Sequence, residues 1–384
     1  MSRLRHLQLA VALVLYATES VALAAEAPTL LEIASGMTRR KYMQITDLEV
    51  RFRTQMTRTD FYYELTDFRA QLQAQTSRRS AIAPREPQTE TSIYELREHL
   101  PHKLHQRMWS RFAEDGSLVT MHACDGTVYR WYQRNNAPGS RASVSAGKRE
   151  VPQPFFRPED IGEVLGKPLI GPLDDPQFRS KILSTRVVDG EQFVDLEVIN
   201  EYPAADKSGI WVRKSQATIN VSRQYWPVFV KSEWGPSATA KLQSAVGSSS
   251  QEITATGWIE SGGMSYPRHI EIRQFQSLPD KAELPLPEGT KRAPQLCYIH
   301  TIDVEKVVIN AGIPDAAFSP QFPVGEIYQD GRDQKQKYYE VDPAGKSIAY
   351  VPRPRGLRGA VFVYHVCWMT ALAAYGIWRS RTTT

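Results

Sequence analysis

Hydrophobic and polar residues alternate with a period of two along most of this chain. In DLEVRFRTQM, Leu48, Val50 and Phe52 alternate with Glu49, Arg51 and Arg53, which predicts a strand with one wet face. QRMWSRF, LVTMHAC and TVYRWYQ are strand-like runs separated by Asp115-Gly116 and Asp125-Gly126, dipeptides that favour tight hairpin turns. The same logic joins KILSTRVV to EQFVDLEVIN through Asp189-Gly190, and pairs IWVRKSQATINV with YWPVFVKSEW. It also joins EITATGWIE to YPRHIEIRQF through Ser261-Gly262-Gly263. A strand from Ile302 to Ile309 follows, then a turn at Pro314-Asp315, Phe318 and Phe322 as buried plugs, and an edge segment ending at Asp330.

Helical spacing is sparse. Thr29 and Glu32 form a capping box before Leu30, Leu31, Ile33, Ala34 and Met37, predicting a helix from about Leu30 to Tyr42. Phe61, Leu65, Phe68 and Leu72 predict a second helix, and a short helical piece is expected near Pro158 to Leu165. Ser77 to Ser92 and the stretch 134–150 lack periodicity and are rich in polar residues, so both are expected to be polar insertions. Short turns between alternating strands imply an antiparallel sheet, and the fold class is α+β, mainly antiparallel β.

The two ends change this picture. Arg3 and Arg5, an apolar run from Leu7 to Ala17 and Ala22-Leu23-Ala24 have the order of a cleavable secretory signal, expected over 1–25, with Glu19 arguing against an uncleaved anchor. Gly359 to Trp378 carries no formal charge and has the length of a bilayer span. It is expected to be a C-terminal transmembrane helix, the alternative being an amphipathic or buried terminal helix. The expected organisation is therefore a signal over 1–25, a main domain over 26–333, a juxtamembrane linker over 334–358, a span over 359–378 and a short basic tail over 379–384.

Charge and motifs narrow the chemistry by exclusion. The 47 Lys and Arg against 42 Asp and Glu are spread along the chain, which leaves no nucleic-acid footprint. His99, His102 and His105 recur every three residues in EHLPHKLHQRMW, but no regular backbone brings three such side chains onto one ion, and Pro101 opposes a helix there. No metal is expected. His122 and Cys124 would share a strand face, and a thiol buried in the sheet or paired with another cysteine explains them better than nucleophilic work. Gly345-Lys346-Ser347 resembles the end of a phosphate-binding loop, but Glu340 stands where that loop needs glycine. No catalytic residues and no cofactor are predicted. Cys367 falls in the apolar terminal run, leaving Cys124 and Cys297 as a possible disulfide if the chain is exported.

The opening from Leu30 to Met56, the long strands closed by GWIESGGMSYP and the phrase INAGIPDAAFSPQFPVGEIYQD resemble the secreted family of outer-membrane lipoprotein-sorting carriers. The resemblance covers most of Leu30 to Asp330. It implies an unclosed, half-open antiparallel β-barrel with helices packed on its concave face. The chain departs from the small soluble carriers in its length, its two polar insertions and its terminal apolar run. No functional residue of the carriers has a matching motif here.

What remains is aromatic surface. Trp109, Trp131, Trp211, Trp226, Trp234 and Trp258 sit in or beside predicted strands. In a half-open barrel some of them would line an apolar concavity for a lipid or acyl chain, and ordinary core packing is the alternative for each. The resulting expectation is a non-enzymatic envelope protein that binds a hydrophobic ligand, a lipid or a lipidated polypeptide, through Trp109, Trp131, Trp211, Trp226 and Trp258. The runner-up is a membrane-anchored interaction or sensor module that binds another envelope protein. A hydrolase with a scattered site is a third reading, and the oligomeric state stays open.

Overall fold

The structure, a computed structural model, describes residues 27–40, 44–76, 87–99, 106–134, 141–146, 151, 163–164, 167–171, 173, 175–203, 210–236, 249–277, 294–332 and 337–350. In chain order the N-terminal half contains α1 (Leu30–Arg39), β1 (Asp47–Arg58), α2 (Asp60–Thr76), β2 (Thr89–His99), β3 (Gln106–Phe112), β4 (Leu118–Asp125), β5 (Val128–Gln133) and β6 (Arg141–Ala146). After a small hairpin of β7 (Glu163–Val164) and β8 (Lys167–Pro168) come β9 (Phe178–Val188), β10 (Glu191–Pro203), β11 (Ile210–Asn220) and β12 (Trp226–Pro236). The chain continues through β13 (Ser249–Ser261), β14 (Met264–Gln276), β15 (Gln295–Ile309), a 3-10 turn (Asp315–Phe318), β16 (Ile327–Asp330), β17 (Lys337–Val341) and β18 (Ser347–Ala349).

Sixteen of these strands form one open sheet in the order β18-β17-β16-β6-β5-β4-β3-β2-β1-β15-β14-β13-β12-β11-β10-β9. The hairpins follow the turn chemistry. Asp189 and Gly190 both have positive φ, as the two-residue turn between β9 and β10 requires. β1 and β15 are far apart in sequence, and the INAG phrase locks them together. Asn310, at φ 57°, accepts from the Thr46 N–H at 2.7 Å, while the Asp47 carboxylate accepts from the N–H groups of Ala311 and Gly312 at 3.0 and 3.1 Å. Gly262, at φ +58°, turns β13 into β14 so close to β15 that an added Cβ would lie 2.5 Å from the Ile309 carbonyl oxygen. Gly262→Ala is expected to cost about 1–2 kcal/mol from the left-handed backbone alone, with more from that collision, as a lowered urea midpoint.

Alternation sorts the strand side chains onto two faces. On one face, Leu48, Val50 and Phe52 join Leu96, Trp109, Val194, Leu196, Val198, Ile219, Val230, Ile253 and Ile270 in the main core. Ile33 of α1 packs into this cluster. Phe61, Leu65 and Phe68 of α2 pack against Cys297 and Tyr298 of β15. Tyr298 is paired with Arg58, an even step along β1 from Phe52, so α2 covers the same face of the sheet. On the opposite face of β3 to β6, Met108, Met121, Ala123, Tyr132, Ala142 and Val144 are covered by Phe318, Phe322, Tyr328 and Val341. The two phenylalanines expected as plugs are thus the residues that hold the C-terminal stretch of the described chain onto the sheet.

Several expectations are corrected. Both described helices are amphipathic: Ile33 is buried while Leu31 is exposed, and Phe61, Leu65 and Phe68 are buried while Glu64, Thr66 and Asp67 are exposed. No helix among the described residues is long and apolar enough to cross a membrane. The fold class with a half-open barrel and a C-terminal transmembrane helix is therefore replaced by a mainly antiparallel, unclosed sheet with two helices among the described residues. Residues 1–25 and 359–378, read as signal and span, lie outside the described residues.

The polar insertions and the linker are also revised. β2 begins at Thr89, inside the stretch 77–92, because Ser92 and its neighbours pair with β1. RASVSA forms β6 within 134–150, where Ala142 and Val144 alternate into the second core. The helix expected near Pro158 to Leu165 is replaced at Glu163–Val164 by a strand paired with Lys167–Pro168, and the linker expected over 334–358 carries β17 and β18. β16 pairs with β6 in parallel, which the turn pattern did not indicate, since the intervening chain returns from the far side of the sheet.

Candidate functional site

The Asp125-Gly126 turn sets the geometry on the main-core face of the N-terminal half. The Asp125 carboxylate accepts from the N–H groups of Thr127 and Val128 at 2.9 and 2.8 Å and from the Thr127 hydroxyl at 2.7 Å. It also accepts from Arg130 and from Ser319 of the C-terminal stretch, at 3.1 and 2.8 Å. Burial pushes this carboxyl upward, but the hydrogen bonds from Thr127, Ser319 and the Val128 N–H outweigh it and hold the group below the ordinary carboxylate range. With the turn fixed, Tyr129 lies opposite Cys124 and Trp131 opposite His122. The next hairpin places Trp109 opposite His122, and β1 places Phe52 opposite Tyr94.

The result is a row of rings across five neighbouring strands, β1 to β5. Phe52 stacks on Tyr94 with centroids 5.3 Å apart, and Tyr94 meets Trp109 diagonally at 6.2 Å. Trp109 stacks on His122 at 4.6 Å and an interplanar angle of 23°, and His122 meets Trp131 at 6.4 Å. Four inter-strand spacings make this lane ~19 Å long. Phe52 and Trp109 are 1% and 8% exposed, whereas Tyr94, His122 and Trp131 are only half-buried. The lane therefore has a packed base and three members that keep part of their surface exposed.

His122 is the polar member of the row. Its Nδ1 lies 2.6 Å from the Tyr129 hydroxyl, and burial among rings pushes its pKa down to about 4, so it is a neutral imidazole at neutral pH. His300, on the same face of β15, is pushed down to about 4 chiefly by burial, with Glu90 opposing. The unfolded chain titrates both near 6.5 and takes up protons that the folded protein refuses. Stability should be level above pH 6.5 and fall as the pH drops from 6.5 towards 4. For the more deeply buried His300 the loss at pH 5 is on the order of 2 kcal/mol, read as a lower urea midpoint at pH 5 than at pH 7.5 and reduced in a His300→Leu variant.

A second aromatic group lies under α1. Trp226, 1% exposed, donates its indole N–H to the Ser265 carbonyl at 2.7 Å and meets Tyr266 edge-on at 5.5 Å. The Arg40 guanidinium sits 4.0 Å above its ring and donates to the Tyr225 carbonyl at 2.7 Å, and Trp258 lies 6.5 Å away. This group is packing, with the helix end fastened over it. The five candidate tryptophans fall into separate ring contacts. Trp109 and Trp131 meet around His122, Trp226 and Trp258 meet under α1, and Trp211 stands nine residues along β11 from the level of Trp226, ~30 Å away. Trp234 is half-buried opposite Arg213 and Ser249.

The remaining candidates separate likewise. Cys124 is buried in the main core and Cys297 under α2, so the possible disulfide between them is not formed. His99 closes β2, its ring nitrogens 2.7 Å from the Gln106 side-chain oxygen and 2.8 Å from the Ile313 carbonyl, while His102 and His105 lie outside the described residues. Phe52, Tyr94, His122 and Tyr129 were missed as site residues. Counting outward from an Asp125-Gly126 two-residue turn pairs His122 with Tyr129; the hairpin instead turns at Gly126-Thr127, which sets His122 opposite Trp131.

No protein-family signature matches the chain, and no curated protein matches it. Among solved structures it is similar to a LolA superfamily protein from Nitrosomonas europaea, with 10% identity and a TM-score of 0.35 over 77% of this chain and 99% of that one. It is also similar to a DUF1329 family protein from Desulfovibrio piger, with 9% identity and a TM-score of 0.33 over 74% of this chain and 96% of that one. The first of these carries in its own description the superfamily that the suspected resemblance to the sorting carriers points to.

Proposed function

We propose that this chain is an exported, non-enzymatic envelope protein that binds a hydrophobic ligand, a lipid or a lipidated polypeptide, along the lane from Phe52 to Trp131. The carrying observation is the row of rings in which Phe52 and Trp109 are buried while Tyr94, His122 and Trp131 keep part of their surface exposed. Core packing explains Phe52 and Trp109. It does not account for the ring surface that Tyr94, His122 and Trp131 keep exposed along the row. A neutral His122 suits hydrocarbon, because a protonated imidazole in the middle of the strip would need an anion beside it. The signal pattern over 1–25 supports export.

Titration with a phospholipid brominated along its acyl chain tests this. Saturable quenching of tryptophan emission in the full chain, diminished in Trp131→Ala, is the expected result. Quenching that is absent, or that is the same in the variant, contradicts the lane as the site.

A second reading, a module that binds another envelope protein, is favoured by β9. It ends the sheet among the described strands and exposes Leu183, Val187 and Val188. Strand addition to such an edge is a recurring recognition mode. A bulge against β10, between its Asp195 and Leu196, guards the edge, which ranks this reading second.

A further inference from the structure

The lane does not stop at Trp131. Trp131 is opposite Ser143 of β6, and Ser143 is paired in parallel with Gln329 of β16. The neighbouring pair, Val144 and Asp330, is buried on the opposite face, so Gln329 and Ile327 lie on the face of the lane. Ile327 is opposite Glu340, Gln329 opposite Tyr338, and Glu340 opposite Ile348. Ile327, Tyr338 and Ile348 therefore continue the lane's face to the last strand of the sheet, where they are 38%, 50% and 49% exposed. The exposed end of this face is thus the flap, where Tyr338 is half-exposed, and its buried end is Phe52 in the core.

We propose that the flap β16–β18 is the entrance through which the acyl chain of a bilayer phospholipid is taken into the lane. This rests on the reading of the lane as the binding site. The other edge of the sheet is less suited, because α1 lies against β9 there. The flap's charges are close to balanced: Glu326, Asp330, Glu340 and Asp342 stand against Arg332, Lys337 and Lys346 among the described residues, and Arg332 is paired with Asp330 at 2.5 Å. Such a surface does not select anionic headgroups, so the source it fits is a zwitterionic lipid whose hydrocarbon meets the exposed Ile327, Tyr338 and Ile348.

The test is stopped-flow energy transfer from tryptophan to a phospholipid with a pyrene-labelled acyl chain, presented to the full chain in phosphatidylcholine vesicles. In a Tyr338→Asp, Ile348→Asp double variant the loading rate is expected to fall by about tenfold, the factor that ~1.4 kcal/mol of lost contact in the encounter produces, with an unchanged plateau. Ile348→Leu, which keeps the apolar surface, should load at the wild-type rate and so separates the surface chemistry from disturbance of the flap. Loading of the double variant at the wild-type rate to the wild-type plateau overturns the entrance alone. No energy transfer in the wild type, or a plateau indifferent to Trp131→Ala, overturns the lane and the entrance with it.

Discussion

Replacing Trp226 by alanine should destabilise the fold by about 3–5 kcal/mol, the range for removing a large buried aromatic side chain. Three losses combine at this position. The indole is fully buried, so a cavity is left where the main core meets α1. The Ser265 carbonyl loses the N–H that it receives at 2.7 Å. The Arg40 guanidinium, itself buried, loses the ring 4.0 Å beneath it and keeps a desolvation cost that the ring had offset. Because Arg40 closes the C-terminal end of α1, the helix should loosen from the sheet as well. Equilibrium urea denaturation of wild type and variant reads the effect. A loss below about 1 kcal/mol would show that α1 and the Trp226 pocket are not coupled as described.

Trp131→Ala should separate binding from folding. The ring is half-buried at the end of the lane, and its neighbours His122 and Ser143 keep their backbone pairing without it. A stability change within about 1 kcal/mol is expected, since a half-exposed ring leaves a notch rather than a cavity. Ligand affinity should fall about 30-fold, corresponding to roughly 2 kcal/mol of lost aromatic contact in a desolvated strip. Trp109→Ala makes the comparison sharp. That ring is both lane and core, so the same assay should show lost affinity together with lost stability. Equal affinities for wild type and Trp131→Ala would place the ligand elsewhere.

Local rules reached far into this fold. The period-two pattern and the Asp-Gly turns located the hairpins β3 to β5 and β9 to β10, because turn chemistry fixes pairing between strands adjacent in sequence. The capping box at Thr29 and Glu32 marked the start of α1, and both its hydrogen bonds are present. Pairings between distant segments were beyond such rules. Nothing local reveals that β16 docks in parallel on β6, or that β17 and β18 extend the sheet where a linker was expected, since those contacts depend on Phe318 and Phe322 finding Met108 and Met121.

The candidate site was legible only in part, for the same reason. Tryptophan positions could be read directly, but which of them meet depends on register across five strands: the Asp115-Gly116 turn sets Trp109 opposite His122, whereas the Asp125-Gly126 dipeptide read as the turn misses the pairing of His122 with Trp131. His122 was read for its spacing to Cys124, and its role as the stacked centre of the lane follows instead from its two neighbours across the sheet.

The central claim is that the lane holds an acyl ligand, and native mass spectrometry tests it most directly. The full chain, isolated from its native envelope under gentle conditions, should carry a lipid or acylated species at one per protein, released on unfolding and identified by its fragments. Trp131→Ala isolated in the same way should carry much less. A folded wild-type protein whose mass is that of the polypeptide alone would contradict the claim.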